Sequence, residues 1–216
     1  MLSVKNLYLK FTKEFYTLNN INIEIKDGEH CIVLGEKESG KSSLIRVIAG
    51  LEEATKGEIF IKGFNVSKIN FKTDVSLGYI SSNGAYLEGK TVKQNLEYVL
   101  KIRKFPKDET EQKVKNALLT YSLENLQDVK ISKLSAYDKL RVAIARLSLR
   151  PIEFFIIDDI FEHFSMDENK KLAGLIKDLF KENPNCSSII AVNNLDIAKI
   201  FGGCIIKLKY GSIVEE

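Results

Sequence analysis

Apolar and polar residues alternate from Leu2 to Leu9 and again from Ile21 to Ile25, the period of half-buried strands, with a turn signal at Asp27-Gly28. His30–Leu34 is a short, continuous apolar run that predicts a buried strand. From Lys41 to Ala49 the period lengthens to that of a helix. Strand, glycine-bearing loop and helix in that order open a βα unit. Glu58–Lys62 and Val75–Ile80 predict further strands. The middle of the chain changes character. Thr91–Lys104 carries Val92, Leu96, Val99 and Leu100 at helical spacing, and Pro106 precedes an acidic start, Asp108–Glu111, to a second amphipathic helix reaching about Leu123. Tyr137–Leu149 predicts a third, with Leu140, Ile144 and Leu147 on one face. The last third returns to alternation: strand Phe154–Ile157, helix Asp167–Phe180, strand Ser187–Val192, helix Leu195–Phe201, then Cys204–Leu208 and Ser212–Val214 as a hairpin about Tyr210-Gly211. The pattern is one α/β domain over residues 1–216, with a core at 1–84 and 150–216 and a helical lobe inserted at about 85–149.

Composition narrows the class. A chain of 216 residues suits one compact unit with an inserted lobe. With 44% hydrophobic and 28% charged residues it has material for a sizeable core, which excludes disorder. No stretch approaches the roughly 20 uncharged apolar residues of a spanning helix. The lysine-bearing start is not a signal peptide, so a cytoplasmic chain is expected, reaching a membrane only through a partner. The net charge of +3 is too balanced to imply nucleic acid. Lys101-Ile102-Arg103-Lys104 accordingly reads as a solvated helix end. Cys31, Cys186 and Cys204 are odd in number and far apart, which excludes a disulfide scaffold or a paired-cysteine zinc site and suits a reducing compartment. Cys31 and Cys204 read as small core residues.

Gly35-Glu36-Lys37-Glu38-Ser39-Gly40-Lys41-Ser42 fits the phosphate-loop pattern G-x-x-x-x-G-K-[ST]. Gly35 and Gly40 allow the backbone to curl so that its N–H groups converge on phosphate oxygens, and the following helix turns its positive end on the same anion. Lys41 is placed to reach the β- and γ-phosphates, and the Ser42 hydroxyl to ligate Mg²⁺; Ser43 extends the lining. Glu38 stands where glycine is common, which predicts a positive φ at a bulky residue.

Beyond this loop the chain resembles the ATP-binding subunit family of ABC transporters, over nearly its whole length and in motif order. Gly78-Tyr79-Ile80-Ser81-Ser82, then Thr91-Val92, is similar to the family's G-y-v-f-Q … T-V segment. Leu134-Ser135-Ala136-Tyr137-Asp138 with Arg141-Val142-Ala143-Ile144-Ala145-Arg146 is similar to L-S-G-G-Q … R-V-a-i-A-R-A. Phe154–Asp158 resembles the apolar strand ending in an Asp that holds Mg²⁺ through water, and Ile189–Asn193 the strand that ends in a catalytic His. Phe11 falls where the family stacks an aromatic ring on adenine, with Phe15 and Tyr16 as alternatives. The resemblance implies a RecA-like core with an antiparallel β portion and a helical lobe. It also implies binding of ATP and Mg²⁺, a separate membrane permease as partner, and a peripheral position at the inner face of the cell membrane. A second cassette would pair with the chain, as a copy or a paralogue, with Ser135 facing the other chain's γ-phosphate.

The departures cluster. The γ-phosphate Gln falls on Ser82, the general base Glu on Asp159, the Pro after it on Ile160, and the switch His on Asn193. The signature glycines are Ala136 and Tyr137, and the S-A-L-D loop reads Glu162-His163-Phe164-Ser165. Binding parts are kept while hydrolytic and dimer-closing parts are replaced, so slow hydrolysis is expected. A non-hydrolysing, nucleotide-gated binding module is the alternative. Asn193-Asn194-Leu195-Asp196 loosely matches the guanine-reading N-K-x-D, a third reading weakened by the missing Lys. His163 reads as a surface loop residue, and His30 carries no role.

Overall fold

The computed structural model describes residues 1–10, 15–70, 74–82, 84 and 86–214. They form strands β1 (Leu2–Leu9), β2 (Leu18–Ile25), β3 (His30–Leu34), β4 (Lys56–Ile61), β5 (Phe64–Asn65), β6 (Leu77–Ser81), β7 (Phe154–Asp158), β8 (Ser187–Val192), β9 (Cys204–Lys209) and β10 (Ser212–Val214). The helices are α1 (Lys41–Ile48), α2 (Val92–Ile102), α3 (Lys107–Thr120), α4 (Ala136–Ser148), α5 (Met166–Glu182) and α6 (Leu195–Phe201). Each strand and helix expected from the periodicity is present. The two-residue β5 and two single 3₁₀ turns, at Glu124–Leu126 and Ile131–Lys133, are too short to leave a period.

The chain divides into two compact units. The first comprises Met1–Ser81, Ile152–His163 and Asn183–Glu216. It holds an antiparallel sheet of order β2-β1-β4-β5 and a six-stranded sheet of order β10-β9-β3-β8-β7-β6. In the larger sheet β9, β3, β8, β7 and β6 are parallel, and β10 closes one edge as the antiparallel arm of the β9–β10 hairpin. β7 and β8 are buried at every position, which is why they read as unbroken apolar runs rather than alternations. β1 and β2 alternate because only one of their faces meets the core. Helix α1 buries Leu44, Ile45, Val47 and Ile48 and packs on β7 and β8. Because β8 lies between β3 and β7, the loops that leave the three strands open on one edge of the sheet. Ligands of open parallel sheets bind at such an edge.

The second unit comprises Ser82–Pro151 and Phe164–Glu182. Helix α2 begins with a reciprocal cap: Thr91 Oγ1 accepts from the Gln94 N–H at 3.2 Å and Gln94 Oε1 from the Thr91 N–H at 3.0 Å. Helix α3 starts after Pro106 with Asp108 and Glu109 in its first turn, favourable against the helix dipole. Helix α5 belongs here because it packs against α4 with Leu172, Ala173, Ile176 and Leu179 buried; sequence order alone had grouped it with the sheet. One core assignment is corrected: Cys31 is fully buried, but Cys204 is exposed, since the first residues of β9 have no strand on their outer side.

Candidate functional site

The phosphate loop leaves β3 at Gly35, whose N–H donates to the Val192 carbonyl at 3.2 Å. A Cβ on Gly35 would come within 2.5 Å of the Leu208 carbonyl oxygen, so only glycine fits between β8 and β9. The loop ends at Gly40, which precedes α1 at φ 100 with no side-chain cap. The N–H groups of the first turn of α1 therefore have no side-chain acceptor, the arrangement that binds anions. Glu38 has φ 64, the strained conformation expected of a bulky residue at a position that favours glycine. A strut that the sequence did not signal holds the loop from the side: the Gly211 N–H, at the tip of the β9–β10 hairpin, donates to the Ser39 carbonyl at 2.9 Å.

Lys41 is buried, 4% exposed, and its Nζ donates to the Glu36 carbonyl at 2.8 Å while lying 3.6 Å from Asp159 Oδ2. The loop lysine thus bridges its own loop and the acid that follows β7. Asp158 ends β7 at 6% exposure, and its Oδ2 accepts from the Tyr79 hydroxyl on β6 at 3.3 Å. In the sequence Tyr79 is only a letter of the G-y-v-f-Q-like segment; its alignment with Asp158 comes from pairing of Ser81 with Asp158 across β6 and β7. Burial, and after it the Asp158 charge, push the Tyr79 phenol above its ordinary value, so it remains a donor. Asp159 has φ 44, and its carboxyl is raised above the usual range, burial outweighing the pull of Lys41. A raised carboxyl accepts a proton more readily than an exposed aspartate.

Among the described residues, three buried oxygens on this edge have no hydrogen-bond partner: Ser39 Oγ, Asp158 Oδ1 and Asp159 Oδ1. Leaving such groups unpaired costs about 1–3 kcal/mol each. A hydroxyl that can donate, two carboxylate oxygens that can accept, a buried ammonium and an uncapped helix end together suit a polyphosphate with a hydrated divalent cation. The residues present therefore fit Mg²⁺-nucleotide, with Ser42 and Asp158 as the side chains on the metal side. Among the described residues no cluster of three His, Cys, Asp or Glu forms a metal cage.

Gly35 to Ser43, Asp158, Asp159 and Asn193 all lie in the first unit, at or beside the loops that leave β3, β7 and β8. Asn193 is exposed just after β8. Asn194, at the Lys position of the N-N-L-D run, caps a helix: its Oδ1 accepts from the Asp196 N–H at 2.7 Å at the start of α6. His163 is 77% exposed and Lys37 pairs with Glu162 at 3.8 Å. Phe11 lies outside the described residues. Phe15 is 74% exposed, while the Tyr16 ring stands 5.3 Å from Tyr8 with Lys10 Nζ 4.0 Å above it.

Two site residues fall in the second unit. Ser82 is its first residue and is exposed. Ser135 is the N-cap of α4, where its Oγ accepts from the Asp138 N–H at 3.1 Å and donates to Asp138 Oδ2 at 2.8 Å. Asp138 is also paired with Arg141, which donates to the Tyr121 and Ser122 carbonyls. The Tyr137 ring packs edge-on to Phe164 at 5.9 Å.

The model of the ABC transporter family matches residues 18–162. The chain is 31% identical to the sulfate/thiosulfate import ATP-binding protein CysA of Synechocystis sp., over 94% of this chain and 56% of that protein. It is 30% identical to the molybdate/tungstate import ATP-binding protein WtpC of Pyrococcus horikoshii, over 84% and 52%. The chain spans about half the length of the curated relatives it matches. Among solved structures, cbiO1 from Clostridium perfringens, part of the ABC transporter complex cbiONQ, superposes with a TM-score of 0.83 at 26% identity, covering 99% of this chain and 86% of that one. The cassette MJ0796, solved as a dimer bound to ADP and Pi, shares the fold with a TM-score of 0.84 at 24% identity, covering 100% and 97%.

Proposed function

We propose, since this chain belongs to the ABC transporter family, that it is the ATP-binding subunit of a transporter and couples ATP binding and slow hydrolysis to a separate membrane permease. The observation that carries the reading is the set of unpartnered buried oxygens around Lys41, a site built for a ligand that brings both charge signs. Its relatives are named as import proteins for several oxyanions, which favours import and leaves the cargo to the permease. Among the described residues no helix is long and apolar enough to cross a membrane, and the subunit reaches the inner membrane face through its permease.

In this reading the phosphates displace Asp159 from Lys41, and the first turn of α1 and Ser39 donate to their oxygens. Ser42 and Asp158 would hold Mg²⁺, which would supply neutralisation of phosphate charge. Asp159 takes the proton of the attacking water, Asn193 donates to a γ-phosphate oxygen, and Ser82 stands in for the family Gln. Phe11, Phe15 or Tyr16 stacks on the base. A second cassette, identical or paralogous, completes the site.

Titration calorimetry with Mg-ATP on the wild type and Lys41→Ala tests the reading. Each lost charge-assisted bond is worth about 1.5–3 kcal/mol, so the variant should bind at least tenfold more weakly. Equal affinities would overturn it. The second reading, a module that binds without turnover, is favoured by the self-bonded Ser135; the full transporter with ATP separates the two, since phosphate release at no more than background supports the module.

A further inference from the structure

At the end of β3 away from the phosphate loop, two cysteines meet. Cys31 on β3 and Cys204 on β9 are direct partners in the parallel ladder, so their side chains leave the same face of the sheet. Neighbouring strands run about 4.8 Å apart, within the Cα separation of about 4.4–6.8 Å that a disulfide spans. Both thiols are free. Their exposure differs: Cys31 is fully buried and Cys204 is open to solvent. Gly202 and Gly203, at φ 69 and 87, bring the chain into this corner so tightly that a Cβ on Gly203 would strike the His30 carbonyl. The register of the pair is therefore held from both sides. Sequence spacing hid the pair, because only the β3–β9 crossover brings these distant positions together.

We propose that Cys31 and Cys204 form an oxidisable dithiol, a modification site in which exposed Cys204 is the entry thiol and buried Cys31 the resolving one. The Cys204 thiolate attacks one sulfur of a low-molecular-weight disulfide such as oxidised glutathione. A mixed disulfide forms, and one glutathione thiolate leaves and takes up the proton that Cys204 lost. Cys31 then attacks Cys204 Sγ, the protein disulfide forms, and the second glutathione leaves with the proton of Cys31. The protein gives up two electrons and two hydrogens, and the oxidant gains them as two thiols. Burial, and then the neighbouring Cys204 and Glu29, push the Cys31 thiol well above its ordinary value, which makes resolution the slow step. The bridge ties β9 to its neighbour β3, the strand that carries the phosphate loop. The native register already lies within the span of a disulfide, so the loop keeps its place. The inference is independent of the nucleotide reading.

The test is incubation of the whole chain with oxidised glutathione, followed by intact mass and peptide mapping. The expected result is loss of two hydrogens, a Cys31–Cys204 linked peptide, a thermal midpoint several degrees higher, and reversal by dithiothreitol. Cys204→Ser should abolish all of these, and Cys186→Ser none. Cys31→Ala should stop at a glutathione adduct on Cys204. Should that core substitution fail to fold, the exposed Cys204→Ser change still carries the test. A wild type that only accumulates the adduct, that links through Cys186, or that does not react overturns the proposal.

Discussion

The phosphate-loop edge of the first unit and the Ser135 end of α4 in the second are the two places where the family resemblance puts phosphate, and they treat their polar atoms in opposite ways. At the phosphate-loop edge, Ser39 Oγ, Asp158 Oδ1 and Asp159 Oδ1 are buried without partners among the described residues, and α1 starts with no side-chain cap. At the start of α4, Ser135 Oγ both accepts from and donates to Asp138, and Asp138 pairs with Arg141. The first arrangement costs free energy until a ligand arrives; the second is satisfied without one. A carboxylate at the position of the signature Gln adds a charge that repels phosphate. The contrast teaches that motif letters and available donors are different things: a retained serine is no evidence of a retained contact when its neighbour has already taken it.

The largest effect should come from completing the hydrolytic set on the open edge. Asp159 sits at φ 44 and is one methylene shorter than Glu, and Asn193 carries no titratable group. One preorganised transition-state contact is worth about 10²–10³ in rate, and contacts within one site do not add. Asp159→Glu with Asn193→His should raise the ATP turnover of the chain by about 10²-fold, read as steady-state phosphate release. A wild type as fast as the double variant would show that Asp159 and Asn193 already do the chemistry.

A smaller effect follows from the Lys41–Asp159 pair. In the free chain the carboxylate stands 3.6 Å from the ammonium that ATP needs, and its charge repels the incoming phosphates. Asp159→Asn should therefore tighten ATP binding several-fold at neutral pH. The sign with pH follows from the raised carboxyl. Above its folded pKa Asp159 is charged and competes; below it the group is neutral and does not. The ratio of wild-type to variant Kd should thus fall towards one as pH drops through a value above the ordinary aspartate range. Calorimetry of both proteins across pH checks this, and a ratio that stays constant or grows in acid would contradict it.

Much of this edge was legible in the sequence because its parts are local. The phosphate loop is one contiguous run, Asp158 and Asn193 follow apolar strands of the right length, and even the positive φ of Glu38 could be read from the residue standing where glycine is common. What escaped depends on register between strands distant in sequence. The Tyr79–Asp158 bond, the Gly211 strut on Ser39 and the Cys31–Cys204 pair each join residues that no periodicity links. Helix α5 went to the wrong neighbours for a related reason: its apolar stripe says that it packs, not against which unit. Competition was equally hidden, since Lys41 with Asp159 and Ser135 with Asp138 pair groups that each look available alone.

The smallest effect concerns self-association. In a head-to-tail pair the start of α4 must present Ser135 and a bare backbone N–H to the partner's γ-phosphate. Tyr137 puts a phenol ring where the family has a glycine, and Asp138 binds the hydroxyl that should donate. Wild-type chain with Mg-ATP should accordingly stay monomeric in light scattering. Tyr137→Gly alone removes the ring but forfeits its packing on Phe164 and about 1 kcal/mol of helix propensity, and it leaves the Asp138 charge in place. Only Tyr137→Gly with Asp138→Gln frees Ser135 and removes the repulsion, so the pair of changes should yield a partial, ATP-dependent dimer where either single change does not. An Asp159→Asn background keeps ATP intact during the measurement. If the chain dimerises on ATP with Tyr137 and Asp138 both in place, the signature loop rearranges on contact, and its self-satisfied state in the free chain is no barrier to closure.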